Sequence, residues 1–346
     1  MNTPQRIRNL TKSLFTRKTR ERRRRLGRLT PRVEQLENRL VLSSIFVSGS
    51  NIFFTAGASE TNDLTVSESA GTLTFADPGS TITPGAGAWT IDSPNQVSIS
   101  TAGISQLTLS LGDLDDSLDA SGVGAGSGLS LTSMNGGVGN DSITGSQLRD
   151  IITISGGTPG IDTVDGQGSG DDLLNIGVDA DMTLTDTSLT IGGGPAGTYA
   201  NMEQVNFFGG ASDNVLDASG VTAASGFGVV SINGQAGDDT ITGSQIRDII
   251  TVSGSAPGVD TIDGQGSGDD LLNIGVDADM TLTDTSLTIG GGPAGTYANM
   301  EQVNFFGGAS DNVLDASAVT AASGFGVVSI NGQAGNDTIT GSQIRD

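Results

Sequence analysis

The sequence has no cysteine and no histidine. Disulfide bonds and thiolate metal sites are therefore excluded, and the side chain that most often acts as a general base or zinc ligand is missing. Aromatic residues are only 4% of the chain, whereas glycine contributes 53 of its 346 residues. This composition makes a thick globular core difficult to build and favours a thin core between stacked strands. No apolar run reaches the roughly 18 residues that a membrane-spanning helix needs, so no membrane span is expected.

Basic residues are almost confined to the first part of the chain. Residues 1–43 contain 13 of the 16 Lys and Arg and only three acids, a formal charge of +10. The rest of the chain contains 36 acids and three basic residues, a formal charge of −33. All but four of these acids are Asp, whose short carboxylate suits turns and metal ligation. A surface this acidic repels nucleic acid and anionic lipid, so we expect neither as a partner.

An internal repeat of 98 residues organises the acidic region. The segment Asn135–Asp150 reads NGGVGNDSITGSQLRD, and nearly the same segment recurs at Asn233–Asp248 and Asn331–Asp346. The full copies Ile151–Asp248 and Ile249–Asp346 differ at only seven positions. The chain is therefore predicted to consist of a basic leader (1–43), a diverged β-repeat segment (44–106) and a repeat domain (107–346), the last made of a partial copy (107–150) and two full copies (151–248 and 249–346).

A short turn motif recurs inside each repeat. It consists of Gly or Gln, two variable residues, two Asp or Asn, one further residue, and Leu or Ile. Its spacings of 25, 31 and 42 residues add up to the long period, so each repeat is predicted to contain three related pieces. The motif begins at Gly112, Gly137, Gly168, Gly210, Gln235, Gly266, Gly308 and Gln333.

Between these turns lie short runs in which apolar and polar residues alternate, such as those of Val230 and Ile232 or Leu272 and Ile274. Alternation of this kind predicts strands. We therefore expect an all-β fold, a β-solenoid or parallel β-helix-like repeat domain after a disordered basic leader. The alternative is a string of β-sandwich modules, one per repeat, although a sandwich gives no reason for similar turns to recur within one module.

One of these turns carries a pattern with a chemical meaning. Gly136–Thr144 reads GGVGNDSIT, which fits the nonapeptide G-G-x-G-x-D-x-U-x, where U is a large apolar residue. Glycine permits a tight turn with positive φ, and Asp adds a hard oxygen of the kind that Ca²⁺ binds in sets of six to eight. Four segments match with one Gln in place of Gly, namely Gly234–Thr242, Gly332–Thr340, Gln167–Asn175 and Gln265–Asn273.

These nonapeptides resemble the hemolysin-type (RTX-like) calcium-binding repeats, in which Gly-rich turns bind Ca²⁺ and the remaining residues form strands. The resemblance implies that calcium is a partner of this chain. It also differs from the family pattern, because the nonapeptides stand 25 to 42 residues apart instead of in tandem. Binding then requires turns from different coils to stack. The carboxylate ligands that the resemblance implies are Asp141, Asp172, Asp239, Asp270 and Asp337.

The same turns also have a structural explanation, since Gly, Asp and Asn form turns without any ion. In the variants that begin at Gly209 and Gly307, Asn214 and Asn312 stand at the Asp position. Arginine recurs at one position of the repeat and is followed each time by Asp, so local pairing is expected. The pairs are Arg149 with Asp150, Arg247 with Asp248, and Arg345 with Asp346.

An enzyme is not expected. The acidic region has no His and no Lys, and its Asp pairs, tyrosines and arginines recur with the repeat, whereas an active site is normally unique. The function left is that of a structural repeat protein that binds calcium. The alternatives are a calcium-independent structural or adhesive surface protein and, with less support, a polysaccharide-active β-helix enzyme. An extracellular glycan and other surface proteins remain open as partners.

The last part of the leader has a distinctive order of residues. After a basic stretch, residues 31–43 read PRVEQLENRLVLS. This resembles the LEPR-XLL segment of planctomycete surface and secreted proteins, with Asn38 and Val41 as departures from its Pro and Leu. The resemblance implies a secreted or cell-surface protein, and the alternative is a nucleic-acid-binding arm. The matching residues are Pro31, Glu34, Leu36, Glu37, Arg39, Leu42 and Ser43.

Overall fold

The computed structural model describes residues 42–156, 160–168, 170–266 and 269–346. The predicted leader, residues 1–43, lies outside the described residues except for its last two. The expectation that the leader is disordered therefore concerns residues outside the described part of the chain. The described chain is almost entirely strand and turn, which confirms the predicted all-β class. No helix in this part of the chain is long and apolar enough to cross a membrane. The helical residues form the single 3-10 turns η1 (Ala125–Ser127), η2 (Ala223–Ser225) and η3 (Ala321–Ser323).

Short strands follow one another through the whole of this region. In chain order they are β1 (Ser43–Ser48), β2 (Asn51–Thr55), β3 (Asp63–Ser69), β4 (Thr72–Ala76), β5 (Ile82–Pro84), β6 (Thr90–Ser93), β7 (Gln96–Ser100), β8 (Gln106–Ser110), β9 (Ser117–Gly122), β10 (Leu131–Asn135), β11 (Ser142–Thr144), β12 (Arg149–Ser155), β13 (Thr163–Asp165), β14 (Leu173–Gly177), β15 (Met182–Thr185), β16 (Ser188–Ile191), β17 (Ala196–Ala200), β18 (Gln204–Gly210), β19 (Val215–Gly220), β20 (Val229–Gln235), β21 (Thr240–Thr242), β22 (Asp248–Ser253), β23 (Thr261–Asp263), β24 (Leu271–Gly275), β25 (Met280–Thr283), β26 (Ser286–Ile289), β27 (Ala294–Ala298), β28 (Gln302–Gly308), β29 (Val313–Ala318), β30 (Val327–Gln333) and β31 (Thr338–Thr340).

The first sheet has 13 strands in the order β30-β28-β24-β22-β20-β18-β14-β12-β10-β8-β2-β1-β5. From β2 to β30 all neighbours are parallel. Ile152, Leu174, Val205 and Val230 lie in register on four successive strands and are fully buried. The alternation visible in the sequence is therefore an alternation between core and surface.

The second sheet is built from the strands that lie between those of the first along the chain. Strands β9, β11 and β13 pair in parallel, as do β19, β21 and β23. An antiparallel group, β15 to β17, is inserted between these two sets. Its outer strands continue the sheet, because β17 pairs with β13 and β15 pairs with β19, both in parallel. The group β25 to β27 repeats this insertion in the second full copy.

The chain alternates between the two sheets through two kinds of turn. We name those that leave the first sheet exit turns, such as residues 136–141 between β10 and β11. Those that lead back are return turns, such as residues 145–148 between β11 and β12. Because the first-sheet strands are parallel, exit turns lie along one margin of the sheets and return turns along the other. Buried apolar residues of both sheets belong to one hydrophobic cluster.

The repeat is divided differently from the prediction. The first full copy supplies the first-sheet strands β12, β14, β18 and β20, and the second supplies β22, β24, β28 and β30, apart from a residue or two at the copy boundaries. The predicted turn motif occurs in exit turns, as at Gly210 and Gln235, and in return turns, as at Gly168. Its three spacings therefore mix turns from opposite margins, and each copy holds four strand pairs.

The segment before the repeat domain departs from the parallel pattern. Strands β1 and β2 are antiparallel. The pairs β3–β4, β4–β7 and β6–β7 are antiparallel as well. Strands β2 and β3 nevertheless pair in parallel with β8 and β9. Residues 44–106 are thus joined to the repeat domain through both sheets.

Candidate metal centre

A column of Asp and Asn residues runs along the exit turns. Each member stands directly before a second-sheet strand. All are buried except for the last, which is half-buried. The members are Asn62, Asp116, Asp141, Asp162, Asn214, Asp239, Asp260, Asn312 and Asp337.

The Asp side chains of this column link a strand pair to the one before it. The Oδ1 atom of Asp141 accepts a hydrogen bond from the backbone N–H of Asp116 at 3.0 Å. The Oδ1 atom of Asp162 accepts one from the N–H of Asp141 at 2.9 Å. The second copy repeats the arrangement, with Asp239 accepting from Asn214 at 2.8 Å and Asp260 from Asp239 at 3.1 Å. Each carboxyl therefore satisfies a buried backbone donor that no neighbouring strand reaches.

A second column of the same kind runs along the margin of the return turns, in these turns and at the start of the strands that follow them. The backbone N–H of Asp150 donates to Oδ1 of Asp172 at 2.7 Å, and that of Asp172 donates to Oε2 of Glu203 at 2.8 Å. Asp248, Asp270 and Glu301 repeat the arrangement at 2.8 Å for both bonds.

The predicted calcium ligands are divided between the two columns. Asp141, Asp239 and Asp337 lie in the exit column, whereas Asp172 and Asp270 lie in the return column on the other margin. None of the five is the direct neighbour of another. Their neighbours are residues that the nonapeptide pattern missed, namely Asp116, Asp162, Asp260, Asp150, Asp248, Glu203 and Glu301. For the exit column, a simpler signal marks them: Asp or Asn, one residue, then a buried Leu, Ile or Val.

The glycines of the nonapeptide are explained by close packing within and between turns. A Cβ on Gly136 would clash with the carboxyl group of Asp141 in the same turn. Gly139 has a φ of 137° and lies against the carbonyl of Leu114 in the preceding turn. A side chain at either position would push the carboxyl or the neighbouring turn away.

The second oxygen of these carboxyls is buried without a hydrogen-bond partner. This holds for Oδ2 of Asp116, Asp141, Asp172, Asp239 and Asp270. A charged oxygen in this position lacks the solvation that water would give it.

Burial consequently raises the pKa of several column carboxyls. It raises the pKa of Asp116 and Asp162 to about 7, and the charge of nearby Asp141 adds to both shifts. It raises the pKa of Asp172 to about 6, with the charge of Glu203 adding to the shift. The backbone N–H donors act in the opposite direction and are outweighed.

The five predicted ligands offer the right kind of oxygen for calcium but not the right number. Ca²⁺ takes six to eight oxygen ligands, whereas one oxygen of each carboxyl is already bonded to the backbone. Among the described residues, no group of three or more acidic side chains is arranged to hold a metal ion. Calcium binding therefore stays a prediction.

The predicted pairs of Arg149 with Asp150 and of Arg247 with Asp248 are wrong. Nε of Arg149 donates to the carbonyl oxygen of Asp171 at 3.2 Å, and Arg247 does the same to Asp269 at 3.3 Å. The Asp150 carboxyl instead accepts from the backbone N–H of Ser146 at 2.7 Å. Neighbouring residues of a strand point to opposite faces, so Arg149 is exposed while Asp150 is buried.

No protein-family model matches this sequence, and a comparison with curated proteins finds no match either. The arrangement of the turns is therefore the basis for assigning a function.

Replacing Asp239 tests the role of the exit column. Asp239→Ala leaves the buried N–H of Asn214 without an acceptor, so the free energy of unfolding should fall by about 1–3 kcal/mol. Asp239→Asn keeps an acceptor oxygen at the same place on the side chain and should cost less. Urea unfolding followed by circular dichroism measures both, with Asp92→Ala on the exposed strand β6 as the control. An equal loss in the Asn and Ala variants would show that charge, not the acceptor, matters.

The raised pKa values predict the pH dependence of stability. An unfolded Asp titrates near 3.8, whereas folded Asp116, Asp162 and Asp260 titrate near 7. Between about pH 4 and about pH 7 the folded chain thus binds more protons than the unfolded chain, and the free energy of unfolding falls as the pH rises. Above this range it should level off. Urea midpoints across the range check this, and a midpoint that rises with pH contradicts it.

Proposed function

We propose that residues 44–346 form a β-solenoid that serves as a structural, non-enzymatic region of a secreted or cell-surface protein. In this proposal each strand pair is one coil, and the coils stack through parallel pairing in both sheets. The observation that carries it is the bond from a turn carboxyl to the backbone of the preceding coil. It recurs along both margins.

A repeated structural use of carboxylates argues against catalysis. An acid or base in an active site needs surroundings that its equivalents do not share. Here Asp141 and Asp239, like Asp172 and Asp270, accept hydrogen bonds from backbone N–H groups at equivalent positions of the repeat. This is what a scaffold needs, since each coil must hold the next one in the same way.

Calcium binding is the second candidate function. The observation that favours it is the set of buried Oδ2 atoms without partners, in a region whose formal charge is −33. A cation that bound only the folded chain would stabilise it by mass action.

The effect of calcium on folding separates the two candidates. If the scaffold folds without calcium, the purified chain should show a β-type circular dichroism spectrum in EDTA. Its melting temperature should then stay unchanged when calcium is added. If calcium binds the turns, saturation at about one hundred times the dissociation constant should add about 2.7 kcal/mol per site. That gain should disappear when Asp141, Asp239 and Asp337 are replaced together by Asn. A chain unfolded in EDTA would overturn the calcium-independent scaffold.

Export is proposed from the similarity of residues 31–43 to the LEPR-XLL segment. Fusion of residues 1–43 to a reporter in a planctomycete host should carry the reporter out of the cytoplasm. A fusion in which Leu36, Arg39 and Leu42 are replaced by Ala should remain inside. A native-leader reporter that stays in the cytoplasm would contradict the proposal.

A further inference from the structure

The outward face of the first sheet carries almost no charge. On the described strands from β2 to β30, its outward residues include no acid and one base, Arg149. The second sheet differs, with outward acids at Asp63, Asp119, Asp165, Asp217, Asp263 and Asp315. In a region with a formal charge of −33, an uncharged face suits a partner that is itself neutral.

A ladder of short polar side chains runs across this face. Asn175 and Asn206 lie in register on neighbouring strands, and Nδ2 of Asn206 donates to Oδ1 of Asn175 at 2.8 Å. Asn273 and Asn304 repeat the pair and its bond at 2.8 Å. The neighbouring strands β12 and β20 add Thr153 and Ser231 in the same register. Strands lie about 4.8 Å apart, so amide and hydroxyl groups recur at even intervals.

Beside the ladder, a glycine faces a phenylalanine in each copy. Gly177 pairs with Phe208, and Gly275 pairs with Phe306. A Cβ on either glycine would meet nothing within 4 Å, so no side chain fills the space next to the ring. Each glycine is the last residue of its strand, and the missing side chain leaves room for a ligand to approach the backbone.

A hollow lies at each of these pairs. Gly177 and Phe208 line one of about 200 Å³ together with Asp179 and Gln235. Gly275 and Phe306 also line a hollow, with Asp277 and Gln333 at the equivalent positions, but this one is about 840 Å³ and is lined as well by the exit turn 254–258 and by buried core residues such as Leu272 and Tyr297. The partly buried ring, the open glycine and the amide recur 98 residues apart, although the two hollows differ in extent.

We propose that this face binds a neutral polysaccharide. The apolar side of a sugar ring lies over Gly177 or Gly275 against the phenylalanine, and the amides of the ladder bond its hydroxyl groups. Asn and Gln suit this role because each both donates and accepts hydrogen bonds. An uncharged polymer meets no repulsion from the acidic turns, whereas a second copy of the chain or a polyanion does. The inference rests on the proposed function only in that the partner is extracellular.

Binding of the purified full chain to insoluble cellulose, chitin and β-1,3-glucan tests the proposal, with EDTA present throughout. The wild-type chain should be depleted from solution by at least one of the three. The double variant Gly177→Val and Gly275→Val fills the space beside both rings and should weaken binding roughly tenfold or more. The matched control, Ala200→Val and Ala298→Val, adds the same side chains at exposed positions of the second sheet and should bind like wild type. Circular dichroism confirms that each variant is folded.

Three results would overturn the proposal. They are no binding to any of the three polymers, equal binding by the Gly→Val variant, or equal loss in the control. Sedimentation adds a further outcome: self-association that only the Gly→Val variant loses, without polysaccharide binding, would make the face an interface between copies. Binding is measured on purified protein without calcium, so its failure leaves the export and calcium experiments unaffected.

Discussion

The fold depends on the hydrogen bond between a turn carboxyl and a backbone N–H of the preceding strand pair. Within the sheets, the pairing of strands satisfies the backbone groups. At the margins, where the chain crosses between sheets, it cannot, and a buried unpaired N–H is costly. Asp is short enough to reach the adjacent turn from the position just before a strand. The bonds from Asp116 to Asp141 and from Asp141 to Asp162 therefore extend the order of the sheets into the turns.

This bond explains several other features of the chain. It accounts for the abundance of Asp over Glu, because most of these bonds join a side chain to the backbone of the adjacent turn. The short side chain of Asp covers that distance. It accounts for glycine at Gly136 and Gly139, where a side chain would separate the carboxyl or the adjacent turn from its position. It also brings acids into the core at the expense of their solvation, which is why burial raises the pKa of Asp162 and Asp260 to about 7.

The β class and the strands were predictable from the sequence, because alternation such as that of Val230 and Ile232 reports directly on which residues face the core. The exit column was only partly predictable. Asp141 and Asp239 fit the nonapeptide, but Asp162 and Asp260 follow loops of a different composition and were missed. The hydrogen-bond partner of each carboxyl could not be predicted from the sequence, because it depends on which turn lies next to that carboxyl in the fold. For the same reason Arg149 was assigned to its neighbour in sequence, Asp150, whereas its partner is the carbonyl of Asp171 on the adjacent strand pair.

The near identity of the two full copies creates an ambiguity during folding. A strand of one copy could pair almost equally well with the neighbours of the equivalent strand 98 residues away. A chain that began to fold in the middle would therefore have two nearly equivalent ways to continue. The antiparallel pair β1–β2 of the first sheet has no counterpart in the copies, whereas β3–β4 resembles the antiparallel pairs β15–β16 and β25–β26. Strands β1 and β2 are neighbours in sequence, and local pairs of this kind form faster than distant ones. We expect the pair β1–β2 to act as the nucleus from which strand pairs are added in order, so that the least repetitive part of the β region fixes the register of the most repetitive part.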